Sequence, residues 1–166
     1  ACALLDDAGL KCWGANVDGQ LGLGDTDARG DGPDEMGAAL PTVELGPGRA
    51  AVQVVAGGSC TCALLDDASM KCWGSNGSGQ LGLGDTDARG DGPDEMGDAL
   101  PGVDLGTGRS ARALSAGREF VCALLDDASV KCWGSGDAGQ LGLGSLDPRG
   151  GSPGEMGHAL APIDLG

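Results

Sequence analysis

A fixed spacing of 60 residues relates three copies of one unit in this chain of 166 residues. The most similar stretches begin at Cys2, Cys62 and Cys122, and each reads CALLDDA followed by KCWG without any gap between copies. Residues 19–37 and 79–97 are identical, whereas the third copy has diverged and reads GQLGLGSLDPRGGSPGEMG. A fixed period of this length is typical of propellers, solenoids and arrays, in which each unit buries its apolar surface against the next unit.

Each copy carries the signals of short strands, and no window shows a helical period of apolar residues. The segment AAVQVVAG predicts a leading strand, CALL a second strand, and MKCWG, after the turn residues DAS, a third strand. PTVELG and PGVDLG predict a short fourth strand beyond a long Gly/Asp loop. Because CALL does not alternate with polar residues, we expect this strand to be covered on both faces.

The predicted fold is therefore all-β, with a small antiparallel sheet of up to four strands in each of three repeats. We place repeat 1, which lacks its leading strand, at 1–50, repeat 2 at 51–110 and repeat 3 at 111–166. With 34 glycines, three tryptophans and one phenylalanine, a unit buries little by itself, so its neighbours must contribute the burial.

The order AG-x-x-x-x-CALLDD, then KCWG, then GQLGLG resembles the repeat of the regulator of chromosome condensation family. The pattern is met over 56–84, over 116–144 and, without its leading strand, over 2–24. The resemblance implies a β-propeller, typically with seven blades. We therefore expect the three repeats to be β-propeller blades of up to four antiparallel strands that together form one partial propeller, a partial ring of three repeats, with further blades in the full chain.

Two features depart from that family's pattern. Alanine stands at Ala8, Ala68 and Ala128, where the family usually has glycine. A non-glycine residue at positive φ costs on the order of 1 kcal/mol, so we expect the turn to differ here. The loop DTDARGDGPDEMG also lengthens the unit beyond the usual repeat.

The paired cysteines suit a cross-strand disulfide. A hairpin that turns about Asp7 places Cys2 opposite Cys12 and Leu4 opposite Leu10 on one face of the sheet. Facing residues of a non-hydrogen-bonded pair approach the ~3.5–4.5 Å between Cβ atoms that a disulfide requires. The predicted disulfides are Cys2–Cys12, Cys62–Cys72 and Cys122–Cys132.

Other roles for the cysteines remain open alternatives. Reduced thiols serving as small core residues would indicate a cytoplasmic or nuclear protein, whereas disulfides favour an extracellular or cell-surface protein. Nine residues between the cysteines do not match a zinc knuckle, and the single histidine, His158, is distant in sequence. Cys60 aligns with Phe120, which favours a small apolar side chain in a core pocket over a reactive thiol.

The acidic loop suggests two kinds of binding site. The candidate calcium ligands are Asp25, Asp27, Asp85 and Asp87. An EF-hand loop started at Asp25 would place Arg29 and Met36 at ligand positions, so a solvated acidic loop is the favoured interpretation. Arg29 and Asp31, and likewise Arg89 and Asp91, belong to an Arg-Gly-Asp tripeptide that resembles the integrin-recognition tripeptide, and they are candidates for loop interaction.

No residue is nominated for catalysis, and we predict no cofactor. GQLGLG lacks the lysine and the spacing of a phosphate-binding loop. We expect Trp13, Trp73 and Trp133 to pack within the blades rather than to form a ligand cage.

The formal net charge of −15 makes nucleic acid and acidic membranes poor partners. No segment approaches the ~18 apolar residues of a membrane helix, so no membrane insertion is expected. The sequence favours a non-enzymatic module that binds a protein partner through its loop face. The alternatives are a regulator or nucleotide exchange factor of a small GTPase, implied by the resemblance alone, and a propeller that positions an enzyme encoded elsewhere in the same chain.

Overall fold

The computed structural model describes residues 1–166 as three small antiparallel sheets that follow one another along the chain. The first sheet contains β1 (Cys2–Leu4) and β2 (Leu10–Cys12); the second contains β3 (Ala51–Ala56), β4 (Cys60–Leu65) and β5 (Met70–Gly74); the third contains β6 (Ala111–Ala116), β7 (Phe120–Leu125) and β8 (Val130–Gly134). One-turn 3-10 helices lie at Gly97–Ala99 and Gly157–Ala159. The predicted all-β fold is confirmed.

The strand register follows the spacing of the cysteines. Cys2 pairs with Cys12 and Leu4 with Leu10, as the sequence predicts. The same register returns between β4 and β5, where Cys62 faces Cys72. Because side chains alternate between the two faces of a strand, the tryptophan that follows the second cysteine points to the opposite face.

The hairpin turn departs from expectation. Ala8, Ala68 and Ala128 adopt φ values of 67°, 64° and 67°, so alanine takes the left-handed conformation, and the expectation of a different turn is wrong. In the second copy, the amide of Leu65 donates to Ser69 O and the amide of Ala68 donates to Leu65 O. The Asp67 carboxylate also accepts from the Ser69 amide. These three bonds fix the turn despite the strained residue.

This turn gives a first stability prediction. We expect Ala68→Gly to raise the free energy of unfolding by about 0.5–1 kcal/mol, because glycine adopts positive φ without the Cβ penalty. The control is Ala63→Gly in the middle of β4, where alanine is fully buried and not at positive φ, and this change will lower stability. Urea unfolding of both variants measures the difference. Loss of stability in Ala68→Gly would contradict the assignment of strain to this turn.

The predicted fourth strand does not form. PTVELG and PGVDLG have no strand conformation, and each donates a single backbone hydrogen bond to the preceding hairpin, from Val43 to Leu10 O and from Val103 to Met70 O. The Nζ of Lys71, in the next repeat, donates to Leu45 O in the first of these segments and also to Gly97 O. Lys131 donates in the same way to Leu105 O in the second segment. Each complete blade therefore has three strands, and these two segments are each tied down by the lysine of the following repeat.

Adjacent sheets pack face to face through two different surfaces, which we name by their residues. The cysteine face of the second sheet comprises Cys60, Cys62, Leu64, Met70 and Cys72. It packs on the tryptophan face of the third sheet, which comprises Leu114, Val121, Ala123, Leu125 and Trp133. The first sheet meets the second in the same way, with Leu10 and Cys12 against Ala63, Leu65 and Trp73. Strand β4 is buried along its whole length, as expected for a strand covered on both faces.

Candidate interaction surface at the blade junctions

Tryptophan joins each blade to the preceding repeat. Trp73 and Trp133 are fully buried, and their indole N–H groups donate to Gln20 O and Gln80 O, each at 3.1 Å. The indole lies so close to the preceding repeat that a Cβ on Gly22 would be 2.7 Å from Trp73 Nε1. The glycines of GQLGLG are therefore needed for close packing. Trp13, at the equivalent position of the first sheet, is only half-buried.

The long loop of each repeat forms a second part of the junction. Gly24 donates its amide proton to Gly90 O at 3.0 Å, and Gly84 donates to Gly150 O at 2.9 Å. Gly90 is buried in this contact, whereas Gly30, its counterpart in the first copy, is exposed. The tripeptide at 89–91 thus lies against the preceding repeat rather than at a free loop tip.

An internal network shapes the loop in the first two copies. Asn16 Nδ2 donates to the backbone and carboxylate of Asp25, and Arg29 forms an ion pair with the other oxygen of that carboxylate at 2.6 Å. Asp85 and Arg89 repeat this ion pair at 2.7 Å. The arginines named as interaction candidates therefore have their guanidinium groups directed at their own loop.

The calcium candidates are arranged differently from a metal site. Asp25 and Asp85 bind arginine, while Asp27 and Asp87 are exposed at the loop surface. No group of three or more His, Cys, Asp or Glu side chains is placed to hold a metal ion.

A glutamate that sequence reasoning overlooked organises the loop. Glu35 Oε2 accepts hydrogen bonds from the amides of Gly30, Asp31 and Gly32. The bonds from Gly32 and Gly30 lower the pKa of the Glu35 carboxyl, because they favour its ionised form. Glu95 and Glu155 accept equivalent bonds. The signal was present in the sequence, since the third copy keeps this glutamate while losing most other acids of the loop.

The exposed acids around this glutamate carry much of the loop's charge. Asp31 and Asp91 are both exposed. The slight desolvation of the Asp91 carboxyl against the loop raises its pKa, and the neighbouring Glu95 carboxylate raises it further.

The third copy loses the asparagine-centred network. Gly136 and Ser145 stand where the other copies have asparagine and aspartate, and the guanidinium of Arg149 donates only to Pro148 O. The Ser145 hydroxyl is buried without a hydrogen-bond partner. The loop geometry survives through its glutamate, so the network is not essential for the junction.

The three predicted cysteine pairs lie at disulfide distance. Bonds join Cys2 to Cys12, Cys62 to Cys72 and Cys122 to Cys132. Three disulfides fit an oxidising setting. Cys60 is free and buried, and burial raises its pKa to about 11, so its thiol stays protonated near neutral pH.

Three consecutive blades, of which the second and third are each anchored by a tryptophan and a loop to the repeat before, define a β-propeller repeat protein. Family models described as the regulator of chromosome condensation (RCC1) repeat match residues 12–64, 51–80 and 111–140. The chain belongs to the RCC1 repeat family. None of its helices has the length and apolar character needed to span a membrane.

Curated relatives are longer proteins. The chain is 32% identical to the human probable E3 ubiquitin-protein ligase HERC3 over 87% of this chain and 12% of that protein. It is 30% identical to the ultraviolet-B receptor UVR8 of Arabidopsis thaliana over 82% of this chain and 28% of the receptor. The chain thus spans less than a third of the length of either relative.

The fold has solved counterparts. Yeast RCC1 (Prp20), in its crystal structure with Kap60, superposes with a TM-score of 0.69 at 20% identity, over 98% of this chain and 34% of the yeast chain. Prp20p of Saccharomyces cerevisiae, studied for binding to Gsp1p and histones, gives the same TM-score at 19% identity, over 98% of this chain and 36% of that chain. At these identities the likeness establishes the fold alone.

Proposed function

We propose that this chain is a non-enzymatic segment of a β-propeller that binds a protein partner through its acidic loops. The observation that carries the proposal is the repeated placement of one loop on successive blades, where a glutamate fixes the backbone and Asp27, Asp87 and Asp147 stay exposed. Repeat proteins use such equivalent loops as extended binding surfaces. Prp20p is described by its binding to Gsp1p and histones, which supports a binding role for this architecture.

The ends of the structure support further blades on both sides. On the cysteine face, Leu64 is 5% exposed, but its counterpart Leu124 in the third sheet is 38% exposed. On the tryptophan face, Leu65 is 1% exposed, whereas Leu5 in the first sheet is 37% exposed. The third sheet leaves a cysteine face open and the first sheet leaves a tryptophan face open, and these are the two kinds of face that pack together at the internal junctions. Additional repeats of this family would cover both.

Site-specific photo-crosslinking tests the interaction. A benzophenone amino acid is placed at Asp87 or at Asp147, which are equivalent exposed loop positions in successive blades. The matched control is Val52, which is exposed on a strand. We expect one partner to crosslink from both loop positions and not from the control. Crosslinking to the same proteins from all three positions, or from none, would contradict the proposal.

We further propose an extracellular or cell-surface location. The support is the set of three local disulfides, because cytosolic thiols are kept reduced. Acid quenching of the native host, followed by alkylation under denaturing conditions and a non-reducing peptide map, should find Cys60 alone alkylated, because denaturation exposes this buried thiol. Alkylation of all seven cysteines would place the protein in a reducing, cytoplasmic or nuclear compartment.

Two relatives favour alternative roles for the whole protein. The likeness to Prp20p supports a regulator of a small GTPase, and nucleotide release from a panel of GTPases that stays unaccelerated would remove this candidate. The match to part of HERC3, a probable ligase, supports a propeller that accompanies an enzyme in the same polypeptide. The flanking coding sequence decides that second case.

A further inference from the structure

A groove recurs at both blade junctions. The groove between the first and second repeats has a volume of about 510 Å³ and the groove between the second and third about 280 Å³. Each is lined by ten residues, and the two sets correspond one to one at the 60-residue spacing. The groove is therefore a recurring structural feature of the junction between repeats. We call these two grooves, in chain order, the first groove and the second groove.

The first groove combines an apolar wall with an acidic rim. Leu23 and Met96 line it and pack against the buried core, so they form its inner wall. Pro41 comes from the first repeat and Pro93 from the loop of the second. Glu44 and Asp94, both exposed, also line it. Methionine adapts its shape to different ligands, which suits a binding wall.

The two rim carboxylates are free, unlike those of Glu95 and Asp85 in the neighbouring loop. Glu95 accepts from the amides of Gly90 and Gly92, and Asp85 binds arginine. The carboxylates of Glu44 and Asp94 take part in none of the hydrogen bonds or ion pairs of the chain. They are therefore available to a cation from outside.

Asp94 is also held in a conformation that favours glycine. Its φ is 62°, and the equivalent residue of the third copy is Gly154, at φ 80°. Asp34 of the first copy takes the same conformation, at φ 60°. Aspartate is one of the few residues with a side chain that adopt it, so the first two copies keep a carboxylate here where the third copy has glycine.

We propose that the first groove binds a short extended peptide segment of a protein partner in which lysine or arginine alternates with aliphatic residues. This rests on the proposed interaction function and names its surface and the chemistry of its partner. The aliphatic side chains contact Leu23 and Met96, and the cation lies between Glu44 and Asp94. The net charge of −15 attracts such a segment over a longer range. The second groove is smaller and has glycine at the rim, so it binds more weakly.

Nuclear magnetic resonance titration of the 15N-labelled chain tests the groove. The probe is the capped peptide Gly-Lys-Leu-Arg-Leu-Lys-Gly, and peptides with glutamate for each cation or serine for each leucine are its controls. We expect shift changes at the amides of Gly24, Thr42 and Gly92, and weaker binding of both control peptides.

The repeats supply matched variants. Asp94→Gly gives the first groove the rim of the second, and we expect the peptide affinity to fall about threefold without loss of thermal stability, since one exposed ion pair is removed. In the double variant Asp94→Gly, Glu44→Gln, we expect the peptide affinity to fall about tenfold. Gly154→Asp should strengthen the second groove. Asp6→Asn removes the same charge from a hairpin turn and should leave the affinity unchanged.

The outcomes separate this proposal from the broader one. If Asp94→Gly and Asp6→Asn weaken peptide binding equally, the peptide is attracted by the net charge only. That result would overturn the proposal that the first groove binds it. Shift changes confined to other loops, or no binding of the probe, would also overturn it. In those cases crosslinking from Asp87 and Asp147 would still decide whether the chain binds a protein. Binding of calcium alone at the rim, with no response to the peptide, would overturn the choice of ligand.

Discussion

Replacing Trp73 with alanine should lower the free energy of unfolding by about 3–5 kcal/mol, the largest effect that we expect from a single change. The side chain is fully buried between the first and second blades, so its removal leaves a cavity in the core. The substitution also leaves Gln20 O without the indole N–H. Urea unfolding followed by circular dichroism measures the loss.

The first repeat provides the control for this prediction. Trp13 occupies the same position in the repeat but is half-buried on an open face, so Trp13→Ala should cost much less. Trp73→Phe should fall between wild type and Trp73→Ala, because it keeps most of the apolar volume and loses the hydrogen bond. Equal losses for Trp13→Ala and Trp73→Ala would show that the junction contributes nothing beyond the hairpin itself.

Removing the Cys62–Cys72 disulfide should have the second largest effect. The double variant Cys62→Ala, Cys72→Ala loses about 2.5–3 kcal/mol by the chain-entropy model for a loop of this length, in which the bond restricts the unfolded chain. Both cysteines are fully buried on the face that packs on the third blade, so packing is lost as well. The shift of the urea midpoint under non-reducing conditions measures the total.

A second disulfide of the same loop length separates these two contributions. Cys2 and Cys12 are also ten residues apart, so the chain-entropy model assigns Cys2→Ala, Cys12→Ala the same loss. Cys2 is only half-buried, and less packing is lost there. We therefore expect a smaller total loss for this pair. An unchanged midpoint in both double variants would show that the bonds do not stabilise the fold.

The hairpins were predictable from the sequence because two short-range patterns agree. The spacing of CALL and KCWG fixes the register, and the register brings the cysteines to facing positions. The burial of β4 on both faces follows from the same uninterrupted apolar run. Strand count was harder to predict, because the apolar residues of PTVELG fill the core without forming a ladder. Pro41 has no amide proton, and Lys71 takes the Leu45 carbonyl.

The candidate site was largely hidden from sequence reasoning because it is formed between repeats. Leu23 and Pro93 line one groove, although 70 residues separate them in the chain. The left-handed conformation of Asp94 is likewise not evident from its residue type, and its φ of 62° shows it only once the backbone is known. The role of Glu35 could have been suspected from the survival of this acid in the third copy.

Each junction joins two different partners in a fixed order along the chain, and this affects how the number of repeats can change in evolution. Each unit offers a Gln carbonyl to the unit after it and an indole N–H to the unit before it, as in the pairs Gln20–Trp73 and Gln80–Trp133. Duplication of one unit copies both halves of the interface, and a crossover between equivalent points adds or removes whole blades. Every new tryptophan then meets a carbonyl of the correct kind. Blade number can change by recombination without the invention of a new interface.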